Sequence, residues 1–267
     1  MAQEAIIVIR GGGDLATGVI QKFYRSGYRV LVLETEQPTA IRCSVSVCEA
    51  VYYGKAQVED VPCVRVSSRK QIEHCWELGQ VPLLIDPEGK CIGELSPQAV
   101  IDAILAKRNL GTHRAMAPIT IGLGPGFYAG REVDAVIETM RGHNLGRLLL
   151  EGEALPNTGI PGEMGGKSAE RVIHAPLGGI IKHGSKIGDI VEQGAPFMSI
   201  DEIQIKAPFR GLLRGLIHEG LFVPQGMKIA DIDPRIEVDW RTISDKARCL
   251  GGAALEAYLY LRKEYNL

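Results

Sequence analysis

The chain has 267 residues, of which 45% are hydrophobic and 23% charged, and its formal net charge is −2. That composition suits one large or two ordinary globular domains and lacks the basic footprint of a nucleic-acid binder. The apolar runs are too short to cross a bilayer, and "MAQEAIIVIRGGG" has no basic leader and no small-residue cleavage site, so a cytoplasmic protein with no membrane partner is expected.

Residues 5–10, "AIIVIR", read as a buried strand. "LATGVIQKFYRSG" follows, with Leu15, Val19, Ile20 and Phe23 at helical spacing and Gly27 as a stop. "YRVLVLE" is a second strand ending in Glu34, so the spacing predicts a β-α-β unit with a parallel pair. "IRCSVSVCEAV" alternates like a strand, which would turn Cys43 and Cys48 to opposite faces. Six cysteines (43, 48, 63, 75, 91 and 249) include no CxxC pair, so free thiols in a reducing compartment are expected, and no metal site. "VPLLID" (81–86) reads as another buried strand. "SPQAVIDAILAKRN" (96–109) reads as a helix, with Ser96 as its cap, Pro97 in first position and Asn109–Gly111 as its stop.

The pattern changes after Thr112. "APITIGLGPGF" and "REVDAVIETM" read as strands around a glycine-rich loop, and five glycines and two prolines across 152–170 predict a loop or embellished connection. From Val172 to about 238, short strands and turns dominate. "SDKARCLGGAALEAYLYLRKEY" (244–265) reads as a helix that Ser244 can cap and that Gly251–Gly252 weaken. Four regions are therefore expected: an α/β domain at 1–112, a glycine-rich connecting region at 113–170, a β module at 171–238 and a C-terminal helix at 239–267.

An internal repeat lies in the β module. Ala175–Pro176, Gly179, Gly188, Val191, Gln193, Gly194 and Ile200 recur 32 residues later as Ala207–Pro208, Gly211, Gly220, Val223, Gln225, Gly226 and Ile232. Two copies are too few for a solenoid and suggest a pseudo-twofold module. The pattern A-P-x-x-G followed by G-x-x-V-x-x-G resembles the biotinyl/lipoyl-type barrel-sandwich fold. Carrier members place a modified lysine on the hairpin between the halves; here Asp201–Glu202 stand near that tip, while Lys206 matches His174 at the base of a repeat. A rigid docking or positioning module is the favoured expectation over a swinging-arm carrier.

"IVIRGGGDLATGV" (7–19) carries the spacing of a dinucleotide-binding turn. Gly11 permits the tight turn, Gly13 allows a pyrophosphate to approach, and Ala16 is small enough for close packing of helix on strand. Glu34 lies 21 residues after Gly13, close to the position of a ribose-binding acid. A phosphate would meet Gly11, Gly12 and Gly13 at the helix N-terminus. Asp14 opposes this, because its carboxylate would repel a pyrophosphate; the alternative is a ligand-free turn capped by Asp14.

A second cluster, "IGLGPGFYAGREVD", contributes Gly122, Gly124 and Gly126 as a candidate anion-binding concavity, with Arg131 alongside. In "ETMRGHNLGR", Arg141 could fork onto a phosphate or carboxylate and His143 could move a proton or bind an oxyanion. The alternative is a polar turn with solvated charges. No HExxH, G-x-S-x-G or P-loop occurs; "GGKSA" (165–169) has Pro161 where a P-loop needs its first glycine. The residues point to a binding site, and no catalytic residue is assigned.

"RGGGDLATGV", "DAILAKRN", "GLGPGF", "VIETMRGHNLGR", "NTGIPGEMGG" and "KARCLGGAALEA" occur in this order. Together they resemble the YqeB-type accessory proteins of the selenium-dependent molybdenum hydroxylase system, over residues 5 to 262. The N-terminal unit is also distantly similar to the Rossmann-like part of XdhC/CoxI-type factors, which help insert molybdenum cofactor. The resemblance implies a Rossmann-like α/β domain joined to a β-rich part. It also implies a maturation role, with a nucleotide or the pterin molybdenum cofactor as a phosphate-bearing ligand and a molybdenum hydroxylase as client; a homo-oligomer is compatible. It transfers no catalytic residue, and the cysteines of "IRCSVSVCEAV" depart from the expected pattern. Two alternatives remain: an NAD-dependent oxidoreductase of a small molecule, and a scaffold built on the repeat.

Overall fold

The computed structural model describes residues 5–159, 163 and 165–267, so Ile160, Pro161, Gly162 and Met164 of the expected 152–170 loop, and with them part of "NTGIPGEMGG", lie outside it. The first apolar run forms β1 (Ile6–Arg10), followed by α1 (Asp14–Arg25) and β2 (Arg29–Glu34). α2 (Ala50–Tyr53), β3 (Lys55–Val58), β4 (Val61–Val66), α3 (Arg69–Glu77) and β5 (Val81–Ile85) come next. Then follow α4 (Ile92–Leu95), β6 (Ala99–Asp102), β7 (Ile119–Leu123), β8 (Tyr128–Ala129), β9 (Ala135–Ile137), β10 (Leu148–Leu149) and β11 (Gly152–Glu153). Strands β12 (Val172–His174), β13 (Gly179–His183), β14 (Ile190–Val191), β15 (Pro196–Ile200), β16 (Ile203–Lys206), β17 (Gly211–Leu216), β18 (Phe222–Val223) and β19 (Lys228–Asp233) precede α5 (Asp245–Glu264). The chain forms two compact units: Met1–Pro38 with Ser46–Asn157 and Ile243–Leu267, and Thr39–Val45 with Thr158–Thr242.

The first unit is a mixed α/β layer structure around one nine-stranded sheet in the order β10-β9-β7-β6-β1-β2-β5-β4-β3. The strands from β9 to β4 in that order are mutually parallel, and β10 and β3 close the edges antiparallel. Central strands are covered on both faces, which is why β1 reads as an unbroken apolar run and Ile7, Val8 and Ile9 are fully buried. The expected β-α-β unit and the 81–86 strand are present.

Two sequence expectations are corrected. Residues 96–109 are not a helix: Ala99–Asp102 form β6 between β1 and β7, and Ser96 is the left-handed C-cap of α4 (φ 46°). A short apolar run buried on both faces has no periodicity that separates strand from helix. "IRCSVSVCEAV" is not a strand either. Short 3-10 turns at Cys43–Val45 and Val47–Glu49 lead into α2, because the Cys48 N–H is drawn to the carbonyl of Gly12 (2.9 Å). Cys43 and Cys48 therefore lie in successive turns and not on opposite faces of a strand.

Helix α5 returns to pack along α1. A Cβ on Gly18 would overlap the carbonyl of Ala247, and one on Gly251 would overlap the carbonyl of Gly18, so the two backbones touch. Further along, Tyr258 stacks edge-on against Phe23 (5.5 Å between ring centres) and Tyr28 (5.2 Å). The helices therefore run in the same direction, with their N-termini side by side. Ser244 caps α5 by accepting from the Ala247 N–H. The hairpin tip at Glu59–Asp60 ties both helices: Glu59 accepts from Gln21, Arg248 and the Ile243 N–H, and Asp60 pairs with Arg25.

In the second unit, two four-stranded antiparallel sheets run β12-β19-β17-β14 and β16-β15-β13-β18. A shift of 32 residues carries β13, β14 and β15 onto β17, β18 and β19, and β12 onto β16. Each sheet thus takes two strands from each half, and exchanging the halves exchanges the sheets. The likeness is not complete in packing. The Ile41 carbonyl lies against Gly215, Cys43 donates to the Leu216 carbonyl (3.2 Å), and the Trp240 ring covers Gly188. The partner position of Gly188, Gly220, faces open space.

Gly251→Ala is expected to cost about 1–3 kcal/mol by forcing α1 and α5 apart. Gly252→Ala, whose Cβ meets open space one residue on, is expected to be neutral or to stabilise by roughly 0.5–1 kcal/mol. Urea unfolding of the two variants checks the pair; equal effects would contradict the close crossing.

Candidate functional site

The turn after β1 is packed on two sides. Gly11 has φ 96°, and a Cβ there would lie 3.0 Å from the Ala103 carbonyl oxygen and the Ile104 Cα. A Cβ on Gly12 would lie 3.1 Å from the Cys48 nitrogen. Gly13 differs: its Cα faces open space, its backbone is extended (φ −68°, ψ −176°), and it is the N-cap of α1 with no side-chain cap. Asp14 is therefore the first helical residue and not the cap expected from the sequence; its carboxylate lies in the first turn, where the helix dipole favours it. Thr17 secures the turn by donating to the Gly13 carbonyl (2.8 Å) and accepting from the Val47 N–H (3.1 Å).

Glu34, at the end of β2, closes on this turn. One carboxylate oxygen accepts from the Gly12 N–H and the other from the Thr35 N–H, both at 2.8 Å. Burial pushes its pKa above the ordinary glutamate value, and the two N–H groups partly offset this. Between β1 and β6 the carboxyl ends of neighbouring strands hold a buried pair, Arg10 and Asp102, 3.6 Å apart. Thr112 bridges them, accepting from Arg10 and donating to Asp102. Arg10 also donates to the carbonyls of Pro87 and Leu110, and burial raises the Asp102 pKa. In open α/β sheets ligands lie outside the carboxyl ends of the strands; here that crevice is filled with the chain's own groups.

The glycines of the second cluster serve packing. A Cβ on Gly122 would strike the Phe127 ring, one on Gly124 the Thr139 hydroxyl (2.6 Å), and one on Gly126 the Arg108 backbone. Arg131 lies over the Tyr128 ring at 4.1 Å. Arg141 makes a fork, but onto Asp245 of α5 (2.8 and 2.9 Å). His143 is exposed and hydrogen-bonds to none of the described residues. Among the described residues, no group of three or more His, Cys, Asp or Glu could hold a metal ion, and no helix is long and apolar enough to cross a membrane.

The fold brings the two motif regions together at a residue the sequence did not single out. Lys246, on the first turn of α5, is partly buried near Arg141, Asp14, Glu138 and Asp245. Burial, and then Arg141, hold its pKa below the ordinary lysine value against the three carboxylates. No hydrogen bond or close ion pair holds its ammonium among the described residues. Glu138 is committed elsewhere, accepting from the Met140 and Leu155 N–H groups (2.7 and 2.8 Å). A lysine in the first turn, where acids are preferred, was the one signal available in "SDKARC". Gly11, Gly12, Gly13, Asp14 and Glu34 thus form one locus, Arg141 is held on Asp245 of α5, and among the described residues no hydrogen bond or ion pair ties Gly122, Gly124, Gly126, Arg131 or His143 to that locus.

A carboxyl with a raised folded pKa supports folding most when protonated, so the Glu34 contribution is present below the ordinary glutamate pKa and lost as pH rises through the folded value. Glu34→Gln is expected to gain stability relative to the parent as pH rises from about 4 to 7. Denaturant unfolding across that range checks it; a pH-independent difference between the two proteins would contradict it.

No family model matches the chain. Among solved structures, the product-bound ectoine utilization protein EutE (DoeB) from Ruegeria pomeroyi is 10% identical with a TM-score of 0.27, covering 86% of this chain and 85% of that one. An aspartoacylase family protein from Mesorhizobium loti is 12% identical with a TM-score of 0.26, covering 86% and 84%. Likenesses this distant carry no argument. The uncharacterized protein YqeB of Escherichia coli K12 is 48% identical over 257 residues, which is 96% of this chain and 48% of that protein. The chain spans about half the length of the curated relative it matches.

Proposed function

We propose that this chain is an accessory factor in the maturation of a molybdenum hydroxylase that carries selenium, binding a nucleotide or the pterin molybdenum cofactor and docking the client enzyme. The observation that carries the binding part is Gly13. It alone of the three glycines in the turn leaves open space above an uncapped helix N-terminus, at the carboxyl end of a central parallel strand. The order β5-β2-β1-β6-β7-β9 within the sheet supports a Rossmann-like reading of the first unit. The interchange of strands between two sheets supports a barrel-sandwich reading of the second, as a rigid module suited to docking. Glu34 at the end of β2 keeps NAD-dependent oxidation of a small molecule as an alternative, although both of its oxygens already accept backbone N–H groups that a ribose would have to replace.

Gly13→Asp separates ligand from fold. Aspartate is a good N-cap and fits an extended backbone, so the variant is expected to melt no lower than the parent. It is expected to weaken binding of AMP or isolated molybdenum cofactor at least about tenfold, or about 1.4 kcal/mol, in calorimetric titration. Absence of binding of nucleotide, cofactor and client hydroxylase by the parent protein would overturn the proposal. Quenched NADH fluorescence with turnover of a small substrate would favour the alternative.

A further inference from the structure

The glycine turn lies at the carboxyl ends of the parallel strands. The amino ends of the same strands carry an open cavity of about 710 Å³, within the roughly 300–1,000 Å³ of small-molecule sites. Its floor is the entry to three neighbouring parallel strands: Ile6 begins β1, Gln98 precedes β6 and Pro118 precedes β7. Ile92 of α4 and Met116 of the following turn stand beside Ile6, and all three pack into the core of the first unit, so one side of the cavity is apolar. Arg114 is the one charged group among the described lining residues, and none of them is an acid.

The polar groups of the cavity are held from behind. Arg114 is half exposed, and its Nε donates to the buried Asp134 (2.7 Å). The other Asp134 oxygen accepts from the Thr120 N–H and hydroxyl, both at 2.8 Å. The guanidinium is therefore fixed by one edge. Its Nη1 lies 3.4 Å from the Gly130 carbonyl, and no second acid pairs with it among the described residues. Gln98 Oε1 accepts from the Tyr258 hydroxyl of α5, which fixes the amide and leaves its NH2 group without a hydrogen bond among the described residues. Ser96, also in the lining, holds a left-handed backbone (φ 46°), and strain of this kind gathers at ligand clamps.

We propose that this cavity binds a small monocarboxylate with an aliphatic or aromatic body. The planar carboxylate matches the outer guanidinium edge of Arg114 and takes a further hydrogen bond from the Gln98 amide. The hydrocarbon lies on Ile6, Ile92 and Met116. Asp134 already offsets part of the Arg114 charge, so a single negative charge suits the site better than a phosphate dianion. No bond is made or broken. The proposal is independent of the phosphate-bearing ligand, which would lie at the opposite end of the strands.

The test is calorimetric titration of the intact protein near pH 7 with hexanoate and phenylacetate, each beside its primary amide. Both carboxylates are expected to bind saturably at one site, and the amides at least about tenfold more weakly. Gln98→Glu keeps an acceptor for Tyr258 and sets a negative charge in the cavity. It is expected to weaken both carboxylates at least about tenfold. Ala115→Trp, on an exposed lining residue, fills space without adding charge and is expected to weaken them as well while melting like the parent. No carboxylate binding by the parent, amides that bind as tightly as the acids, or affinity unchanged in either variant would each refute the assignment.

Discussion

The backbone contact between α1 and α5 organises the first unit. Gly18, Ala247 and Gly251 leave no side chain larger than a methyl group between the helices at their contact, so the carbonyl of one meets the Cα of the other. Such an approach trades helix propensity for packing, since glycine in a helix interior is costly on its own. What it secures is direction and register: two helices begin side by side, at the end of the sheet where β1 and β9 deliver their loops. Phe23, Tyr28 and Tyr258 then fix the far end with edge-on aromatic contacts. The charged tip at Glu59–Asp60 holds both helices to the edge hairpin.

That register decides the chemistry of the site. A glycine turn in a β-α-β unit can cradle a phosphate only where its backbone is open, and here two of its three glycines are covered by Cys48 and by Ala103–Ile104. Glu34 fills the remaining N–H position at Gly12. The buried Arg10–Asp102–Thr112 group closes the adjacent crevice; breaking one partner of such a pair would leave an uncompensated buried charge. Open space remains at Gly13.

The second unit follows a different logic. Its repeat builds two sheets that each borrow from both halves, so neither half can bury its apolar face alone. Symmetry in sequence yields symmetry in strand order but not in covering: Ile41, Cys43 and Trp240 lie over positions of the sheet holding β17, while the copy at Gly220 is open. Internal duplication thus sets the frame, and segments outside the repeat make its two sheets unequal.

Much of this was legible in the sequence because it depends on local periodicity. The β-α-β start, the helix capped by Ser244, the strands at 81–86 and the 32-residue repeat all announce themselves through apolar spacing, caps and recurring glycines. β6 escaped notice because a short run buried on both faces looks the same as a helical segment. The turns at Cys43–Glu49 escaped because alternation in a short polar-apolar stretch does not require a neighbouring strand. The weak glycines of α5 were visible, but their purpose was not, since only α1 alongside explains them. Local sequence determined which segments could form helices, strands and turns; long-range packing alone decided that Asp14 is not a cap and that the second glycine cluster fills space. The contacts of Gly124 with Thr139 and of Gly126 with Arg108 join residues on different segments, and no local pattern encodes such distances.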